Sequence, residues 1–199
     1  MYDWVLKNVF PEKQIKEDLI QLAHLLPGQN ILDFGVGTAT LSIIAYKSQP
    51  AAHFHGIDVD KAILEIATKK VATEKAVIEL RQYDGQALPY RNDMFDTIIS
   101  SLVFHHLYTE GKTKSLAELF RVLKPGGRLI IADFGKARST YTKIAFGLFR
   151  RFDGEYNTRI NAQGLLPKCI QDAGFKSVVE LNHYNTVVGT ITLIEATKE

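Results

Sequence analysis

Short apolar runs alternate with longer amphipathic stretches along this chain, regularly enough to draw an architecture. In residues 12–26, Ile15, Leu19, Leu22, Leu25 and Leu26 recur near helical spacing until Pro27-Gly28 ends the pattern. NILDF (30–34) follows as a strand candidate, then a glycine-bearing turn, then a helix over 38–47 with Leu41, Ile44 and Ala45 on one side. AHFHGIDVD (52–60) reads as a second strand and KAILEIATKKVATE (61–74) as a helix. Strands are expected again at 76–84 and 95–104, separated by the turn-rich LPYRND. A helix over 112–123 is stopped by PGG before the strand RLIIADF (128–134). Helical stretches at about 139–151 and 158–173 precede two β-rich runs, 176–184 and 186–197.

Alternating strand and helix predicts a parallel sheet with helices on both faces. The last two runs leave no room for a crossover helix and are joined around Asn185, so they should form an antiparallel hairpin. The fold class is therefore α/β: a Rossmann-like, doubly wound, mostly parallel seven-stranded sheet with a C-terminal antiparallel strand. No repeat, low-complexity tract or linker divides residues 1–199, which are expected to form one domain.

Composition narrows the partners. The chain is 46% hydrophobic and 23% charged, which suits a packed core, and its net charge of +2 gives no reason to expect nucleic acid. Its single cysteine, Cys169, can form neither an intrachain disulfide nor a CxxC metal knuckle. No apolar run approaches the roughly 20 residues that span a bilayer. MYDWVLKNVF has none of the regions of a secretory signal, so a cytoplasmic location is expected.

Chemistry gathers where strands end. Asp33 closes the first strand, and Gly35-Val36-Gly37-Thr38-Ala39 then turns into a helix. Glycines there let the backbone bend and approach a ligand, and the N–H groups opening the helix favour an anion. A dinucleotide fingerprint would need Gly or Ala at position 40, where this chain has Thr40, which disfavours an NAD-dependent oxidoreductase. Asp58 ends the second strand, placed to accept hydrogen bonds from two ribose hydroxyls, while Asp60 is better suited to capping the next helix. Asp84-Gly85 follows the third strand, where the carboxylate could accept from an exocyclic adenine amine.

With these motifs the chain resembles, over nearly its full length, the class I S-adenosylmethionine-dependent methyltransferases. ILDFGVGTA resembles their D-x-G-x-G-x-G loop, GIDVD their ribose-binding acid and YDGQALP their adenine-binding segment. FDTIISSLVFHHL is similar to their fourth strand, and LFRVLKPGGRLIIADF to the fifth-strand segment of the ubiquinone and menaquinone biosynthesis branch. Ala39 departs from the loop's usual third glycine, the smallest change available. The resemblance implies S-adenosyl-L-methionine as cofactor and S-adenosyl-L-homocysteine as its product. Asp33, Gly35, Val36, Gly37 and Thr38 would surround the methionine end, Asp58 and Val59 the ribose and adenine, and Asp84 and Gly85 the adenine edge. Ser100 and Leu102 would line the cofactor after the fourth strand. Residues 1–26 would form an N-terminal lid and helix, with Tyr2 reaching the cofactor's carboxylate.

His105 and His106 follow the fourth strand and are the candidate catalytic bases, since imidazole titrates in the useful range. The same residues also read as the start of a helix, one packed and one bonded to backbone. His24, His53, His55 and His183 read as structural. Residues 136–168 are the expected substrate cover, mixing Tyr141, Phe146, Phe149, Phe152 and Tyr156 with Lys143, Arg150, Arg151 and Arg159. That mixture suits a small apolar or aromatic acceptor with a negative group, and equally an amphipathic helix packed on the sheet. Peripheral contact with an anionic membrane would serve a lipid acceptor. A small-molecule methyltransferase is the reading adopted, with a catalytically idle cofactor-binding module serving a partner protein as the alternative. Monomer and homodimer both stay open.

Overall fold

The computed structural model describes residues 11–138, 141–142 and 159–199. Its seven strands are β1 (Asn30–Phe34), β2 (His53–Asp58), β3 (Ile78–Gln82), β4 (Phe95–Ser101), β5 (Leu123–Phe134), β6 (Lys176–Thr186) and β7 (Gly189–Thr197). They form one sheet in the order β3-β2-β1-β4-β5-β7-β6. β7 runs antiparallel to both its neighbours and the other pairings are parallel. The reversed strand is last in sequence yet lies inside the sheet, between β5 and β6. The hairpin turn falls at Val187-Val188, just beyond the expected Asn185, and the two strands pair from Thr186↔Gly189 outward.

Helices α1 (Glu12–Ala23), α2 (Thr40–Ser48), α3 (Lys61–Thr73) and α4 (Thr109–Val122) connect or flank these strands. Alternation along the strands divides the core. Leu32, Ile98, Leu129 and Ile131 pack with Leu116 and Leu119 of α4, whereas Ile31, Ile99 and Ile130 pack with Ile15 and Leu19 of α1 and Leu41 of α2. A third cluster joins Val36, Ala39 and Ile43 to Leu64, Ala67 and Val71 of α3. Asp60 caps α3, accepting from the Ala62 and Ile63 N–H groups at 2.8 and 3.3 Å.

Two expectations are corrected. The PGG segment does not precede the fifth strand but bulges from it: Phe95 pairs with Leu123 and Thr97 with Arg128, so residues 124–127 make an excursion from the ladder. The Lys198 strand end satisfies this excursion, since Gly126 N–H donates to Lys198 O and Lys198 N–H to Gly127 O. The helical stretch 158–173 is broken into α5 (Arg159–Ala162) and α6 (Leu166–Asp172), because Gly164 at φ +71° stops the first. The expected helix over 139–151 and Tyr2 lie outside the described residues, apart from a helical Tyr141-Thr142. Among the described residues no helix is long and apolar enough to cross a membrane.

Candidate active site

The chain winds from β1 outward to β3 and then returns across the sheet to β4, so β1 and β4 diverge where their crossovers part. Ligands of open α/β sheets bind in that crevice. A cleft of about 350 Å³ lies there, within the roughly 300–1,000 Å³ usual for small-molecule sites. Asp33, Gly35, Val36, Gly37, Thr38, Asp58, Val59 and Leu102 all line it.

Asp33 forms the cleft's buried end. Its Oδ2 accepts from Ser42 Oγ at 2.6 Å, and burial pushes its pKa from 3.8 up to about 6, against the opposing influence of Ser42 and the Lys16 charge. Gly35 follows at φ +72°, and a Cβ there would fall against the Val103 side chain. A glycine is required at that position, because the turn and the β4 loop meet without space between them. Ala39 adopts the same left-handed region at φ +60°, which costs a non-glycine residue roughly 1–2 kcal/mol. Its fully buried methyl offsets about 0.8 kcal/mol of that by packing in the α2–α3 cluster.

Asp58 faces Asp33 across the glycine loop. Its Oδ2 accepts the Gly37 N–H at 2.9 Å and its Oδ1 the Asp60 N–H at 3.0 Å, so the carboxylate pins the loop while each oxygen keeps a further lone pair. Tyr83 closes the same side. Its phenol is pushed up to about 12, first by burial and then by the charges of Asp58 and Asp84, which keeps it a neutral donor.

Several predicted positions lie off the cleft. Ser100 is fully buried on the opposite face of β4 and donates to Phe34 O at 2.9 Å, so its neighbour Ser101 lines the cleft instead. Asp84 is exposed and closes a local turn, its Oδ1 accepting the Gln86 N–H at 2.9 Å. Gly85 does not line the cleft either, though a Cβ there would sit 3.6 Å from Val59, which does. His106 is exposed at the cleft wall, while His105 is buried behind it with Nδ1 3.0 Å from Asp133 Oδ1. His24, His53, His55 and His183 stay away from the cleft.

Lys16 is a lining residue that no motif marked. Lys16 reaches the cleft from α1, paired with Glu12 at 2.5 Å, and only the packing of α1 across the sheet brings it there. Thr40 opens α2 and accepts from Lys70 Nζ at 2.6 Å. Burial, and then the charge of Lys16, hold the Lys70 ammonium below its usual range. Leu102, at φ +59°, begins the loop after β4, a conformation that strains a branched side chain by roughly 1–2 kcal/mol.

Comparison with known proteins agrees with this geometry. A family described as a methyltransferase domain matches residues 31–127. A demethylmenaquinone methyltransferase from Clavibacter sepedonicus is 30% identical over 189 residues, covering 86% of this chain and 74% of that protein. The chain belongs to the class I S-adenosylmethionine-dependent methyltransferases. It falls in their ubiquinone and menaquinone biosynthesis branch. A demethylmenaquinone methyltransferase from Symbiobacterium thermophilum is 33% identical over 141 residues, 69% of this chain, and the match spans about half (54%) of that methyltransferase's length. A Haemonchus contortus phosphoethanolamine N-methyltransferase shares the methyltransferase fold at a TM-score of 0.74 and 16% identity, over 92% of this chain and 52% of that one.

Proposed function

We propose that this chain binds S-adenosylmethionine in the cleft and transfers its methyl group to a small apolar or aromatic acceptor. The observation that carries the reading is the convergence on one space of an acid, a glycine loop opening a helix, and a second acid at the next strand end. These match the two ends of an amino-acid nucleoside. Asp33 would face the ammonium, with Lys16 and the first N–H groups of α2 toward the carboxylate. Asp58 would accept from the ribose hydroxyls, and Val59, Ile63 and Tyr83 would enclose the base, with Asp84 and Gly85 at its outer edge. Tyr2 and Ser100 would act less directly, the first over the cofactor and the second by holding the β1 end.

When bound, the cofactor supplies an electrophilic methyl group on a sulfonium. The chain's residues have to orient the acceptor and exclude water, and orientation of this kind is worth about 7–11 kcal/mol. Leu102, Val103 and Leu107 supply an apolar wall, and His106 a polar group on it. A histidine of this turn, His105 or His106, would take a proton from an acceptor that keeps one near neutral pH. The relatives named demethylmenaquinone methyltransferase suggest a hydroquinone-type ring as the acceptor, which must lose a hydroxyl proton before its carbon becomes nucleophilic. Residues 136–168 would cover it, forming with the rest of 1–199 a single domain. A membrane surface is the natural source of such an acceptor.

Titration calorimetry with S-adenosylhomocysteine and with NADH tests the cofactor. Binding of the first is expected, together with a roughly 10–100-fold weaker affinity in Asp58→Ala, the effect of losing charged hydrogen bonds. Tight NADH binding without response to S-adenosylhomocysteine would overturn the reading. A panel of short-chain hydroquinones, phenols and amines with methyl-labelled cofactor then identifies the acceptor atom.

A further inference from the structure

At the α2 end of the cleft, two hydroxyls meet a lysine that stands outside it. Thr38, in the glycine loop, and Thr40, the first residue of α2, both line the cleft. Their Oγ1 atoms lie 3.2 Å apart, and Thr40 Oγ1 accepts a hydrogen bond from Lys70 Nζ of α3 at 2.6 Å. An ammonium can only donate, and each hydroxyl brings one hydrogen of its own. One of these two hydrogens serves the bond between the threonines. The other is left over, on Thr38 or on Thr40 according to which of them donates, and among the described residues no side chain or backbone group takes it. Lys70, Thr40 and Thr38 therefore form a chain that presents one donor to the cleft, polarised by the cation behind it.

The surrounding charges show what that donor lacks. Lys16, which lines the same end, pairs with Glu12 at 2.5 Å, and Lys47 pairs with Glu74 at 2.6 Å. Glu12 and Glu74 favour the Lys70 ammonium from farther off, whereas burial and Lys16 oppose it. Among the described residues no carboxylate forms an ion pair with Lys70. The two acids of the cleft are committed elsewhere, Asp33 to Ser42 and Asp58 to the Gly37 and Asp60 N–H groups. A half-buried cation so placed gains from an anion brought to the end of its hydrogen-bond chain.

From this arrangement we infer that Lys70 is a positioning residue that selects the ligand's carboxylate: it never touches the ligand, and acts through the Thr40 and Thr38 hydroxyls. The role rests on the reading given above, in which the cleft holds an amino-acid nucleoside with its carboxylate toward Lys16 and α2. It adds a second cation to that end and makes the two threonines its means of contact.

Titration calorimetry of the full chain with two ligands tests this. One is S-adenosylhomocysteine, and the other is decarboxylated S-adenosylhomocysteine, which keeps the adenosine, the thioether and the ammonium. The wild-type chain should prefer the first. Lys70→Met keeps an unbranched stem without the charge, and should weaken S-adenosylhomocysteine about 5–10-fold while leaving the decarboxylated ligand within about twofold. Thr40→Val should shrink the preference in the same way, and Thr40→Ser should keep it. The variant carrying both Lys70→Met and Thr40→Val should lose no more than either alone, since each breaks the same chain. Side chains that only packed α2 against α3 would weaken both ligands equally or neither, and that result would overturn the inference. Additive losses in the combined variant, or a wild-type chain indifferent to the carboxylate, would overturn it too. Should Lys70→Met not fold, Thr40→Val and Thr40→Ser make the same comparison. Failure of the wild-type chain to bind S-adenosylhomocysteine at all would strike the cofactor reading, and this inference with it.

Discussion

Asp33 holds a charge where the fold alone would favour none. Burial lifts its pKa from 3.8 to about 6, a difference of roughly 3 kcal/mol between its two protonation states. The folded value lies above the unfolded one, so the stabilisation from protonation is complete below about pH 4 and is lost as pH rises through about 6. Asp33→Asn should therefore match wild type near pH 4 and exceed it in stability near pH 7, by up to about 3 kcal/mol. Urea unfolding at the two pH values checks this, and a variant less stable than wild type at neutral pH would show that Asp33 supports the fold. A cation brought into the cleft favours the ionised form, so affinity for S-adenosylhomocysteine should fall as pH drops below about 6. Asp33 and Asp58 were legible in the sequence because each ends a strand beside a glycine. Asp133 was not, because IIADF reads as strand and nothing local shows that its acid turns back to meet Val103, Phe104 and His105.

At the scale of elements, α1 delivers Lys16 only because its far end is fixed. The last carbonyls of a helix lack partners within it. Arg128 of β5 supplies two, from Nη1 to Ala23 O at 2.9 Å and from Nη2 to Leu22 O at 2.8 Å, while its Nε donates to Glu195 at 2.7 Å. Tyr184 of β6 adds a bond to Asp18 of the same helix. Arg128→Ala should cost about 2–3 kcal/mol in urea unfolding, as charged hydrogen bonds of this kind are lost. Arg128→Lys should recover little, because Arg128 reaches these partners from three separate nitrogens of a planar fork, a spread that a single ammonium nitrogen does not reproduce. Full recovery by lysine would reduce the contact to simple charge. NILDF was read at its observed bounds, since apolar residues flanked by turn signals leave little choice. PGG misled because its glycines look terminal, whereas Leu123 pairs with Phe95 before the bulge and Arg128 with Thr97 after it. That closure depends on β4 and on Lys198, both remote in sequence.

For the molecule as a whole, the cleft is a seam rather than a surface feature. β1, β2 and β4 contribute its floor, the loop after β4 one wall, and α1 its Lys16 end, so occupancy ties together segments from 16 to 107. A ligand that binds only this assembled state stabilises it by about 2.7 kcal/mol at one hundred times its dissociation constant. In a chain of 199 residues each kcal/mol moves the midpoint by roughly 2–4 °C. S-adenosylhomocysteine at that concentration should therefore raise the melting temperature by roughly 5–10 °C in a single transition. NADH at equal concentration should leave it unchanged, because Thr40 occupies the position where a dinucleotide fingerprint needs a small residue, and its hydroxyl is held by Lys70. A shift of equal size with NADH would mean that the cleft selects for adenosine and not for the amino-acid end. Splitting of the transition by S-adenosylhomocysteine would mean that the two sides of the seam unfold apart. A single transition shifted by S-adenosylhomocysteine and not by NADH would support the proposal that the cleft binds one amino-acid nucleoside, and loss of that shift in Asp33→Asn and in Asp58→Ala would assign both acids to the same ligand.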